Sequence, residues 1–114
     1  MDHKGFEEHR KNKSALIIDV REAQELERFG DVPGAKNIPL SVLKMAFDLK
    51  EETFEGMYGT KVPDSDDPII TFCMAGIRSE KARNILIHDH GYDNVSNYYG
   101  SYAEWESKQQ QESS

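Results

Sequence analysis

The sequence predicts an α/β fold, with a central, mostly parallel sheet of about four or five strands and helices on both faces. Two observations carry this. Short continuous apolar runs at residues 15–20 and 69–72 read as strands buried on both faces, because a half-exposed strand would alternate. Helix-forming segments separate these runs, and strands alternating with helices make a parallel sheet whose crossovers cover both sides.

The elements follow in order. Residues 6–13 are polar and helix-compatible, and Asn12-Lys13-Ser14 is a turn. Ala15-Leu16-Ile17-Ile18-Asp19-Val20 is the first buried strand. Residues 21–29 are rich in helix formers and stop at Gly30. Pro33-Gly34 marks a turn. Asn37-Ile38-Pro39-Leu40 reads as an edge strand, since proline cannot donate to a central ladder. Ser41 caps a helix through about residue 49, and Thr53 starts a short one through residue 57. Residues 58–67 form a loop whose acidic Asp64, Asp66 and Asp67 are solvated. The strand at 69–72 leads into Cys73. Ser79 opens a helix with Ala82, Ile85 and Leu86 at helical spacing, and Gly91 closes it. Residues 95–99 are strand-like, and residues 101–110 form a last helix with Trp105 facing in. The whole chain, 1–114, is one domain with its core at about 6–108 and a frayed polar tail at 109–114.

Charge narrows the function. The 14 basic and 21 acidic residues leave a formal net charge of -7, a poor match for nucleic acid or an anionic membrane surface. No apolar stretch approaches the ~20 residues needed to span a bilayer. The amino-terminal residues lack the apolar run of a secretory signal. A single cysteine makes no intramolecular disulfide. These points lead us to expect a reducing compartment, the cytoplasm, or the mitochondrion if a targeting segment has been removed.

That cysteine is the strongest candidate for chemistry. Cys73 ends an apolar strand, and Met74-Ala75-Gly76-Ile77-Arg78 connect it to a helix. Loop amides and a helix N-terminus favour negative charge at such a point, and a thiolate is the nucleophilic form. Gly76 permits a tight turn, Arg78 adds a fixed positive charge and Ser79 is an acceptable N-cap. Asp19 also sits near a strand's carboxyl end, where ligands bind in open parallel sheets. His88-Asp89-His90 reads as a solvated helix end rather than a metal site. Tyr98, Tyr99, Tyr102 and Trp105 are candidates for an aromatic pocket wall, with core packing the simpler reading of Trp105.

Four segments resemble the rhodanese-like sulfurtransferases. They are Leu16-Ile17-Ile18-Asp19-Val20-Arg21-Glu22, Gly30-Asp31-Val32-Pro33-Gly34-Ala35-Lys36-Asn37-Ile38-Pro39, Cys73-Met74-Ala75-Gly76-Ile77-Arg78-Ser79, and Gly91-Tyr92-Asp93-Asn94-Val95 continued by Tyr99-Gly100-Ser101 and Trp105. Phe54, Tyr58-Gly59 and Lys61-Val62-Pro63 resemble an insertion of the small single-domain members. The resemblance implies a rhodanese-like fold and a thiosulfate sulfurtransferase with Cys73 as nucleophile and persulfide carrier. It also implies that residues 74–78 (Met74, Ala75, Gly76, Ile77, Arg78) bind the donor, and that Asp19, Arg21 and Glu22 support the loop. From the residues alone, Asp19 would hydrogen-bond loop amides or pair with Arg78, and Glu22 is the alternative partner of Arg78. The implied partners are a small sulfur donor and a thiol acceptor, such as glutathione or a thioredoxin-like protein, with no cofactor, metal, nucleic acid or membrane. The expected state is a monomer or weak dimer.

Departures from the family are Asp31 in place of a frequent His, uncharged Met74 and Ala75 after the cysteine, and Ser101 in place of Gly. The first strand is poorly represented before Phe6. Four residues separate Cys73 from Arg78, one fewer than in related cysteine phosphatases, so the ring suits a sulfur atom better than a phosphate. A catalytically silent binding module is the other alternative, although such modules usually lack the cysteine.

Overall fold

The computed structural model describes residues 1–113, with side chains through Glu112. Its elements are α1 (His3–Asn12), β1 (Leu16–Asp19), α2 (Ala23–Phe29), β2 (Lys36–Asn37), α3 (Leu40–Ala46), α4 (Glu51–Tyr58), β3 (Ile69–Phe72), α5 (Ile77–His90), β4 (Val95–Asn97) and α6 (Ser101–Ser113). Four strands form one sheet in the order β2-β1-β3-β4, and every pairing is parallel. The fold is therefore the expected α/β architecture with four strands.

Side-chain alternation explains why β1 and β3 read as unbroken apolar runs. Ile18, Val20 and Ile69 pack on one face with Leu43, Phe54, Ala82 and Leu86 from α3, α4 and α5. Ile17, Ile70 and Phe72 pack on the other with Phe6 of α1 and Tyr102 of α6. Each strand thus feeds two cores with alternate residues, and neither face tolerates a polar side chain without a partner. The buried Thr71 has one: its hydroxyl donates to the Ser79 carbonyl at 2.9 Å.

Several boundaries differ from expectation for identifiable reasons. α1 begins at His3 because Asp2 caps it, accepting the Gly5 N–H at 2.9 Å. No strand precedes β1 among the described residues, and α1 fills that place. α2 starts at Ala23 because Glu22 and Glu25 form a capping box. Pro39 rather than Ser41 is the N-cap of α3, and the Ser41 hydroxyl instead donates to Glu22 at 2.9 Å. α4 starts at Glu51, two residues before Thr53, with two glutamates in its first turn that suit the helix dipole. β2 is only two residues long and β4 ends at Asn97. α6 runs to Ser113, beyond the expected helix end near residue 110, and Ser114 lies outside the described residues. No helix among the described residues is long and apolar enough to cross a membrane.

Candidate active site

Cys73 follows β3 directly and is 1% exposed. Its Sγ accepts the Gly76 N–H at 3.1 Å and lies 3.4 Å from the Ser79 hydroxyl. Burial pushes the thiol's pKa up. Hydrogen bonds from the Ser79 hydroxyl and from the amides of Ser79, Ala75 and Gly76 outweigh burial, so the net shift is downward. The thiol therefore sits in a partly apolar pocket whose donors favour the thiolate.

The loop's carbonyls are held by residues away from the sulfur. Tyr102 N–H donates to the Cys73 carbonyl at 2.9 Å and Ala103 N–H to the Met74 carbonyl at 3.1 Å. Asn97 Nδ2 donates to the Gly76 carbonyl at 3.1 Å. With carbonyls 73, 74 and 76 engaged away from the sulfur, the amides of Ala75, Gly76 and Ser79 are the backbone donors that favour its thiolate. Ser101 completes the strap: its Oγ accepts the Cys73 N–H at 3.2 Å and donates to the Tyr98 carbonyl at 2.8 Å.

Gly76 is dictated by this geometry. Its φ of +95° lies in the left-handed region, and a Cβ there would sit 2.5 Å from the Tyr99 carbonyl oxygen. Gly76 is also the N-cap of α5. The helix consequently begins at Ile77, and the expectation that Ser79 caps it is corrected: Ser79 lies in the first turn, fully buried, with its hydroxyl on the thiol.

Below the loop, Asp19 and Arg21 form a buried pair. Arg21 Nη2 approaches Asp19 Oδ2 at 2.6 Å, Nε approaches Oδ1 at 3.0 Å, and the Arg21 backbone N–H adds a bond to Oδ1 at 3.1 Å. The guanidinium stacks 4.2 Å from the Tyr102 ring centroid and donates to the Gly30 carbonyl at 3.1 Å. Arg21 therefore ties β1 to α6, whose first turn holds the Cys73 loop.

The expected pairing of Arg78 is also corrected. Asp19 is occupied by Arg21, and Glu22 is occupied by the α2 cap and Ser41. Arg78 instead gives Nη1 and Nη2 to the two Glu25 oxygens at 2.5 and 2.9 Å. Arg78 hydrogen bonds, opposed by burial, lower the Glu25 pKa. The Arg78 pKa is raised, first by those bonds and, against burial, by the charges of Glu25, Cys73 and Asp19. Of the other loop residues, Met74 packs against the second core, while Ala75 and Ile77 are exposed, Ile77 at 71%.

Sequence reasoning missed Glu25, Asn97 and the roles of Ser79 and Ser101. Glu25 left one signal, its place three residues after Glu22 in a capping box. Tyr98 and Tyr102 are core, Trp105 is half-buried beside them, and Tyr99 is 60% exposed. His90 approaches Asp48 at 3.8 Å and Asp89 approaches Lys44 at 3.9 Å, so this helix end faces the α3 side.

The Rhodanese-like domain family matches residues 2–108. A rhodanese domain-containing protein of Drosophila melanogaster is 40% identical over 93 residues, covering 82% of this chain and 83% of that protein. The thiosulfate:glutathione sulfurtransferase of Homo sapiens is 35% identical over 96 residues, covering 83% and 82%. The structure of the human single-domain sulfurtransferase TSTD1 superposes with a TM-score of 0.86 at 31% identity, covering 95% of each chain.

Proposed function

The chain belongs to the rhodanese-like domain family and is a rhodanese-type sulfurtransferase, and from that premise we propose that Cys73 carries the transferred sulfur. The Cys73 thiolate attacks the outer sulfur of a donor such as thiosulfate. The donor's S–S bond breaks, sulfite leaves with the electron pair, and Cys73 holds a persulfide. A thiolate acceptor then attacks the terminal sulfur, or cyanide takes it as thiocyanate. The Cys73 thiolate is returned, and no external oxidant or reductant is consumed.

One observation carries this reading. The Gly76 amide and the Ser79 hydroxyl reach Sγ at 3.1 and 3.4 Å, while the neighbouring carbonyls are held by Asn97, Tyr102 and Ala103. The amides of Ala75, Gly76 and Ser79 around Sγ suit a negatively charged terminal sulfur and the oxygens of a donor. Asp19 and Arg21 brace the strap, and Glu22 orients α2 through its cap. A small thiol fits the acceptor role, and glutathione is the first to test, because the human relative is named for it. A thioredoxin-like protein thiol is the second. The lone cysteine provides no resolving partner, so the acceptor comes from outside. It also suits a reducing compartment, cytoplasmic or mitochondrial.

The test is thiocyanate formation from thiosulfate and cyanide. The wild type is expected to turn over and Cys73→Ser to fall to background. Wild-type turnover in Cys73→Ser would reject the assignment.

A further inference from the structure

Both arginines beside Cys73 are closed by carboxylates. Arg21 is fully buried against Asp19. Arg78 gives two nitrogens to the two oxygens of Glu25, in a pair whose side chains are 35% and 24% exposed. Met74, Ala75, Gly76 and Ile77 carry no charge. Attraction of anions to the thiol is thus left to backbone dipoles, because the field of a compact ion pair falls off faster than that of a free cation.

Resting on the reading that Cys73 takes sulfur from an external donor, we propose that Glu25 sets the charge selectivity of this site: by neutralising Arg78 it disfavours dianionic donors relative to monoanionic and neutral ones. Glu25 is well placed to do so. It is the third residue of α2, and its Oε1 also accepts the Glu22 backbone N–H at 3.3 Å. The cap fixes the carboxylate, and the carboxylate fixes the guanidinium, across 53 residues of sequence.

Glu25→Gln removes the negative charge at nearly constant side-chain shape. A glutamine at this position keeps one oxygen for the cap and for Arg78 Nη1, while its amide nitrogen replaces the acceptor of Nη2, so the charge is removed together with one of the two bonds to Arg78. At side-chain separations near a protein surface, one unit charge is worth roughly a threefold rate change for a monoanion. The logarithm doubles for a dianion, giving roughly tenfold.

The experiment uses two readouts on the intact chain. The first is the ratio of Cys73 alkylation rates with iodoacetate, an anion, and iodoacetamide, which is neutral. Both reagents consume the same thiolate, so the ratio reports local potential. The second is kcat/KM for thiosulfate, a dianion, against methanethiosulfonate, a monoanion. Glu25→Gln is expected to raise the alkylation ratio roughly threefold, kcat/KM for methanethiosulfonate roughly threefold and that for thiosulfate roughly tenfold. Asp66→Asn makes the same change in net charge in the exposed loop before β3, at the opposite end of that strand from Cys73, and is expected to change none of them. An unchanged alkylation ratio in Glu25→Gln, or an equal rise in Asp66→Asn, overturns the proposal. Alkylation needs no sulfur transfer. If no donor loads the wild type, the functional reading fails while the ratio still decides the role of Glu25.

Discussion

Replacing Ser79 with alanine tests how Cys73 is activated. The Ser79 hydroxyl lies 3.4 Å from Sγ, fully buried, and is the largest of the hydrogen-bonding contributions that lower the thiol's pKa against burial. Hydrogen bonds to charged groups contribute about 1.5–3 kcal/mol, and a long contact to sulfur belongs near the weak end. A loss of about 1.4 kcal/mol lowers the thiolate fraction roughly tenfold at pH well below both titration midpoints. Since Cys73 is the only cysteine, the pH dependence of iodoacetamide alkylation reads that fraction without interference. In Ser79→Ala the midpoint should move up, and at pH well below both midpoints the rate should fall roughly three- to fourfold, the tenfold loss of thiolate being partly offset by its greater nucleophilicity. The alkaline plateau should rise roughly threefold, because a more basic thiolate is a better nucleophile. Stability gives an independent check with a definite sign. A thiol whose pKa is lowered by folding adds stability above its unfolded pKa of about 8.5, and this is lost as pH falls through the lowered folded value. The urea midpoint of the wild type should therefore exceed that of Ser79→Ala by more at alkaline pH than at acidic pH. Superimposable alkylation profiles, or a lowered plateau with an unmoved midpoint, would refute the reasoning.

Two further substitutions test the scaffold around the thiol. Gly76→Ala forces a side chain into φ +95° with its Cβ 2.5 Å from a backbone oxygen. It should cost at least ~3 kcal/mol and abolish sulfur transfer; a melting temperature lowered by less than about 3 °C with activity intact would contradict this. Arg21→Met leaves the Asp19 carboxylate, 1% exposed, buried without its cation. Urea denaturation should show a loss of about 3–5 kcal/mol, largely recovered in Arg21→Met/Asp19→Asn, whereas a single-mutant loss under about 1 kcal/mol would argue against the tether.

The legible parts of the sequence were those whose physics is local. Residues 15–20 and 69–72 are apolar apart from Asp19 and Thr71, because alternate side chains of β1 and β3 feed two different cores. Cys73 could be placed because a strand end, a glycine loop and a helix start follow one another in sequence. Pairings between distant segments were not legible. Asp19, Glu22 and Glu25 all lie near one another in the chain, and only the tertiary arrangement decides which of them meets Arg78. The position of Ser79 shifted for a related reason. Gly76 takes the capping position that Ser79 was expected to fill, so two residues become helical ahead of Ser79 and its hydroxyl rotates onto the sulfur. Ser101 read as a mild replacement for glycine, yet at φ +57° its hydroxyl holds the Cys73 amide.

The central claim, that Cys73 holds sulfur covalently between donor and acceptor, is tested most directly by the intact mass of the protein after incubation with thiosulfate and removal of excess donor. The account predicts a gain of one sulfur atom per chain, absent in Cys73→Ser and discharged by glutathione or cyanide. A wild-type mass that stays unchanged while thiocyanate is still produced, or a sulfur adduct that survives in Cys73→Ser, would contradict it.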